Sequence, residues 1–168
     1  MADRNLKQPS RRKRDVCADM FEWDIGTWMY ALRFWEQRAR DLTGKFGLEV
    51  GSRNGGMALF LALNGCRVIC SDLNGPTVRA RELHKAYGVS SLISYECVDA
   101  TDIPFPRGHF DVVIFKSVLG GLGGERTLEA QRMAIGEIHR VLKKGGQCLF
   151  AENMAGSRMH GILREQLV

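Results

Sequence analysis

A short apolar run, Phe46 to Val50, feeds directly into Gly51-Ser-Arg-Asn-Gly55-Gly56, and the apolar stretch Met57 to Leu63 leaves it. That pattern specifies a buried strand, a tight turn and the start of a helix. Glycine carries the backbone through such a bend without a Cβ clash and lets a ligand come close to the main chain. Free N–H groups at a helix start also suit an anionic ligand group. A second strand, Arg67-Val-Ile-Cys-Ser-Asp72, then ends on a carboxylate. In nucleotide-binding α/β folds an acid about 20 residues beyond the turn receives the ribose hydroxyls. A lone glycine turn or strand-terminal acid serves packing or capping equally well. The two at this spacing point to a ligand that carries a nucleoside.

The alternation continues along the chain. A helix from Met57 stops near Asn64-Gly65, and another runs from about Pro76 to Tyr87-Gly88. Leu92 to Val98 reads as the third strand, with Asp99 at its end. The segment Thr101 to Gly108 holds Pro104 and Pro106 and reads as irregular. Asp111-Val-Val-Ile-Phe-Lys116 is a continuous apolar run of the kind found in parallel sheets covered on both faces. A helix from about Arg126 to Lys144 closes at Gly145-Gly146, Gln147 to Ala151 follows as strand five, and a last helix starts at Ser157. Ahead of these, Trp28, Leu32, Trp35, Ala39 and Leu42 share one face of a helix from Thr27 to about Leu42, placed to lie across the ligand cleft. The expected architecture is a three-layer α/β domain: a mainly parallel sheet of about five strands with helices on both faces. Ligands in such sheets bind at the carboxyl ends of the strands, where Glu49, Asp72, Asp99 and Lys116 fall.

Composition narrows the classes. At 168 residues the chain fits one domain. No apolar run approaches the ~18 residues of a membrane helix, and no apolar segment follows the N-terminal charges as in a secretory signal, so a cytoplasmic location is expected. The five cysteines lack CxxC spacing and read as reduced, buried small hydrophobes; no metal site is suggested. Of 24 basic and 19 acidic residues, Arg4, Lys7, Arg11, Arg12, Lys13 and Arg14 stand against Asp3 in residues 1–14, which leaves the rest balanced at 18 each. Residues 1–20 therefore read as a disordered basic tail and residues 21–168 as the domain. A neutral domain argues against a nucleic-acid substrate, although a basic arm can bind one.

Four blocks, in order, resemble class I S-adenosylmethionine-dependent methyltransferases, in particular the small-molecule, type-11-like methyltransferase domain. They are Leu48-Glu-Val-Gly-Ser-Arg-Asn-Gly55, Val68-Ile-Cys-Ser-Asp72, Val98-Asp-Ala-Thr-Asp-Ile-Pro-Phe105 with Phe110-Asp-Val-Val, and Glu137-Ile-His-Arg-Val-Leu-Lys-Lys-Gly-Gly146. The resemblance implies a Rossmann-like fold, S-adenosylmethionine as cofactor and a small-molecule methyl acceptor. It implies that Glu49, Gly51, Ser52, Arg53 and Gly55 surround the methionine and ribose parts of the cofactor. Asp72 would accept from both ribose hydroxyls, Leu73 would pack on adenine, and Asp99 with the Ala100 N–H would take the adenine edge. Lys116 and Ser117 would sit where the methyl meets its acceptor.

Departures from the family pattern are equally specific. Arg53 stands where the family has a third glycine, and Gly120-Gly121 follows Leu119 where a histidine is common. The usual C-terminal hairpin of the sheet is lacking, which leads to the expectation of a second copy or a partner over the sheet edge. Lys116 is the candidate catalytic residue: at a buried strand end a lysine loses basicity and can take a proton from an acceptor, or it can bind an anionic group. A non-catalytic S-adenosylmethionine-binding subunit is the main alternative. An NAD-dependent oxidoreductase shares the acidic second strand, but the turn does not read GxGxxG and no TyrxxxLys pair occurs.

Overall fold

A computed structural model describes residues 13–38, 42–122 and 127–152. Helices α1 (Lys13–Phe21) and α2 (Ile25–Arg38) precede strand β1 (Phe46–Val50), helix α3 (Gly56–Leu63) and strand β2 (Arg67–Asp72). Helix α4 (Val78–Ala86), strand β3 (Ile93–Cys97), strand β4 (Phe110–Lys116), helix α5 (Thr127–Val141) and strand β5 (Leu142–Ala151) follow. All pairings are parallel, in the order β3-β2-β1-β4-β5. Within the described residues this is the expected α/β sheet.

Right-handed crossovers decide which helix covers which face. Steps β1 to β2 and β2 to β3 run one way across the sheet, so α3 and α4 share a face, with α1 and α2 packed over it. There Phe21, Trp28, Leu32 and Trp35 meet Val68, Cys70, Val112, Ile114 and Leu149 in one cluster. Helix α3 lies between the sheet and those helices, and is accordingly apolar all round, buried from Gly56 to Ala62. The step from β4 to β5 runs the other way, so Ala134, Ile138 and Val141 of α5 cover Leu48, Val50, Val113 and Phe115 on the opposite face.

Several sequence expectations are corrected. The tail expected over residues 1–20 gives way to α1 from Lys13 onward; residues 1–12 lie outside the described residues. Val16, Cys17, Met20 and Phe21 recur at helical spacing, and Cys17, Met20 and Phe21 are buried, so this short amphipathic stretch is held by packing. Helix α4 starts after Thr77, whose side chain accepts from the Ala80 N–H, and so begins beyond Pro76. Helix α5 stops at Val141 and not Lys144. Its last carbonyls, on Arg140 and Val141, accept from the Gly108 and His109 N–H groups, and Leu142 already pairs with Phe110 ahead of a register break. Cys17, Cys66 and Cys70 are buried as expected, but Cys97 and Cys148 are exposed at the ends of the sheet. The helix expected from Ser157 lies outside the described residues.

Candidate functional site

Strand order reverses beside β1, whose neighbours β2 and β4 lead away in opposite directions. Sheets of this kind open a ligand crevice at the carboxyl ends of the strands flanking such a point. The turn leaving β1 carries Gly51, Arg53 and Gly55 at φ of 64°, 49° and 74°, all left-handed. At Gly55 a Cβ would also lie 2.6 Å from Cε1 of His84. His84 is fully buried, with Nε2 2.8 Å from the Gly55 carbonyl oxygen and Nδ1 2.9 Å from the Tyr95 hydroxyl. A carbonyl only accepts, so Nε2 carries the proton and Nδ1 accepts from Tyr95. Burial lowers the histidine pKa and favours that neutral ring. A side chain of α4 thus clamps the turn.

The turn is also laced to β2. Ser52 N–H donates to the Ser71 carbonyl at 2.8 Å, Ser71 Oγ to the Glu49 carbonyl at 2.6 Å, and Arg53 N–H to Asp72 Oδ2 at 2.7 Å. The helix-start amides expected to be free are in part taken: Glu49 Oε1 accepts the Met57 N–H at 3.0 Å. Burial pushes the Glu49 carboxyl up to about 8, so it holds its proton at neutral pH. Its second oxygen, Oε2, has no hydrogen-bond partner.

Across the crevice, β4 ends on Lys116 and on Ser117, whose φ of 56° is left-handed without being glycine. The following loop is pinned by Glu152, just past β5, whose Oε1 accepts from Val118 and Leu119 N–H at 2.6 and 2.9 Å. Trp23, between α1 and α2, lies over the crevice, and its neighbours Glu22 and Asp24 have φ of 65° and 46°. Lys116 Nζ stands 3.1 Å from the Trp23 ring centroid and 5.1 Å from that of Trp28; the Arg53 guanidinium is 5.4 Å from the Trp23 ring. Burial pushes the Lys116 amine down to about 8.

Glu49, Gly51, Ser52, Arg53 and Lys116 therefore line one cavity, roofed by Glu22 and Trp23. Its volume is about 30 Å³, room for a few waters and far below a nucleoside site. Gly55, Asp72, Leu73, Asp99, Ala100 and Ser117 lie outside that cavity. Asp72 and Asp99 sit at adjacent strand ends, joined through Val98 N–H to the Asp72 carbonyl at 3.0 Å. Asp99 Oδ1 is engaged by the Thr101 N–H and hydroxyl, Leu73 is 61% exposed, and Ala100 is buried. The helix expected across the cleft contributes no lining residue: the end of α1 and the α1–α2 turn, Met20 to Trp23, close the cavity, and sequence reasoning did not single out Glu22, Glu152 or the His84 clamp. For Glu152 the available signal was a carboxylate directly after the last strand.

Comparison with known proteins bears on the family and the fold. The family described as "Methyltransferase domain" matches residues 48–150. The chain is 28% identical over 161 residues to the ubiquinone/menaquinone biosynthesis C-methyltransferase UbiE of Shewanella sp. (strain W3-18-1), covering 91% of this chain and 59% of that enzyme. It is 37% identical over 112 residues to the sarcosine/dimethylglycine N-methyltransferase of Halorhodospira halochloris, covering 64% of this chain and 37% of that one. The fold is similar to that of the PH0226 protein from Pyrococcus horikoshii OT3, with TM-score 0.66 at 20% identity over 89% of this chain and 63% of that one. The chain thus spans less than two thirds of the length of these relatives. A parallel sheet with this strand order, a glycine turn tied to an acid on β2, and a family match over more than half its length place the chain in the methyltransferase domain family.

Proposed function

We propose that this chain binds S-adenosylmethionine at the ends of β1, β2 and β4 and directs its methyl group to a small-molecule acceptor. One observation carries the reading. The buried side-chain polar atoms without a hydrogen-bond partner among the described residues are Trp28 Nε1, Glu49 Oε2, Ser52 Oγ, Lys116 Nζ and Ser117 Oγ. Such atoms are few in folded proteins. Here they gather around the carboxyl ends of β1 and β4 and the ring of Trp28 that faces Lys116, and as a set they suit a ligand that both donates and accepts.

When bound, that cofactor supplies a methyl already activated on a sulfonium, so the protein's task is alignment. Asp72 anchors the turn through Oδ2 and offers its carboxylate to a ribose diol. The turn around Gly51 presents main chain to the ligand, Leu73 offers an exposed apolar face to the adenine, and Asp99 with Ala100 closes the adenine end. Glu49 Oε2, Ser52 Oγ and Arg53 face the amino-acid portion. Lys116 and Ser117 stand at the acceptor side. With burial pushing it down to about 8, Lys116 sheds its proton close to neutral pH and can take one from the acceptor.

Of the relatives above, one is named for methylation at carbon and one at nitrogen; the part carried over is a small-molecule acceptor. The test is incubation of the purified chain with methyl-labelled S-adenosylmethionine and the small-molecule fraction of a cell extract. Label moves into a small product with the wild type and not with Asp72→Ala. Label that moves equally with Asp72→Ala refutes the assignment of that residue, and full turnover by Lys116→Met removes Lys116 as base.

A further inference from the structure

We infer that Trp23 and Trp28 form a cation cage at the reacting end of this site, built for a small onium centre and held in this structure by the chain's own Lys116 ammonium. The ligand class is a sulfonium or a substituted ammonium, which have in common a compact positive charge clothed in methyl or methylene groups. The inference rests on the methyl-transfer reading above, since both sources of such a charge, donor and amine acceptor, belong to that chemistry.

The geometry is specific. Aromatic faces attract cations within about 6 Å of the ring centroid, tryptophan best of all. Lys116 Nζ lies at 3.1 Å from one centroid and 5.1 Å from the other. An ammonium carries three donors, yet this buried Nζ has no hydrogen-bond partner, so the two rings are its immediate surroundings. Glu22 lines the same cavity and favours a positive charge on Lys116, against the burial that opposes it. Trp23 is delivered by a turn whose two flanking residues, Glu22 and Asp24, adopt left-handed backbone rarely seen outside glycine. A plain apolar lid needs neither that turn nor a lysine beneath it. The remaining cavity, about 30 Å³, does not accommodate a second cation beside Nζ. An incoming onium group therefore takes the place of Lys116, which makes the lysine a plug as well as a neighbour of the reaction.

The test uses tetramethylammonium chloride and the neutral tert-butanol as probes, titrated by calorimetry and by tryptophan fluorescence. The proteins are the wild type, Lys116→Met, Trp23→Phe and Trp23→Leu, each checked for folding by circular dichroism. Tetramethylammonium binds at least about tenfold more tightly than tert-butanol, and Lys116→Met raises its affinity by about tenfold. Trp23→Phe keeps most of the binding and Trp23→Leu loses it. Equal binding of the two probes, or no gain in Lys116→Met, overturns the cage. A second arm separates the sources. If saturating S-adenosylmethionine blocks tetramethylammonium and Trp23→Leu erases the preference for S-adenosylmethionine over S-adenosylhomocysteine, the occupant is the sulfonium. If the probe still binds beside S-adenosylmethionine, the cage receives an amine acceptor. Failure of S-adenosylhomocysteine to bind while the probes behave as stated sinks the donor reading alone; its binding with no charge preference among the probes sinks the cage alone.

Discussion

The two turns that face each other across the crevice are built on opposite principles. The turn after β1 is held by shape: Gly51 and Gly55 take left-handed backbone, and Val118 and His84 fill the space where their Cβ atoms would stand. Its main chain is tied to β2 and α4 through Ser52 N–H, Arg53 N–H and the Gly55 carbonyl. The turn after β4 is held by charge. Ser117 takes the left-handed conformation without being glycine, Glu152 gathers the loop amides, and Lys116 Nζ and Ser117 Oγ stay without hydrogen bonds. The difference teaches that one side of the site has its main chain fixed by close packing, while the other is fixed by a carboxylate and carries the unpartnered ammonium.

The sharpest way to break this contrast is at glycine. Gly55→Ala combines left-handed strain with a contact 2.6 Å from the His84 ring and is expected to cost about 3 kcal/mol or more in urea unfolding. Gly145→Ala, at φ 78° with nothing within 4 Å of its Cβ, keeps the strain without the clash and costs about 1 kcal/mol. Equal losses would show that shape does not hold the first turn.

The next effect is in pH. Unfolded, Glu49 ionises near 4.5; folded, it keeps its proton to about 8. Its contribution to stability is therefore complete below 4.5 and is lost as pH rises through about 8, on the order of 5 kcal/mol. Glu49→Gln flattens that slope in melting curves taken between those limits, and an unchanged slope would place the titration elsewhere. Lys116, held down to about 8, contributes in the opposite sense and only above that pH. Glu152→Gln is a smaller change, about 1–2 kcal/mol, read most directly as faster amide exchange at Val118 and Leu119. Unaltered exchange there would show that charge does not pin the second turn. Smallest of all, Leu73→Ser leaves stability unchanged and weakens S-adenosylhomocysteine binding by less than about tenfold. A larger loss would move the adenine contact from the edge of the site to its centre.

The first turn and the sheet were legible in the sequence because both rest on local necessity: apolar runs for strands covered on both faces, glycine where a side chain cannot fit, and an acid at the end of β2. Long-range geometry was not legible. The charges of α1 hide its four apolar positions, and only contact with α2 and α3 shows why they make a helix. The His84 clamp joins residues 29 apart, and the Glu152 contacts join residues 33 and 34 apart, beyond any local pattern. Trp23 stands outside the helical pattern that carries Trp28 and Trp35. Its meaning appears only when β4 brings Lys116 beneath it. The break in α5 follows from a loop, Gly108 and His109, that takes the helix's last carbonyls.

The central claim, that these strand ends bind an S-adenosyl ligand through Asp72, is tested most directly by calorimetric titration of the purified chain with S-adenosylhomocysteine. The account predicts one site per chain, no binding of NAD, and a loss of about 100-fold in Asp72→Ala, whose fold is confirmed by circular dichroism. Absence of binding to the wild type, or undiminished binding to Asp72→Ala, would contradict it.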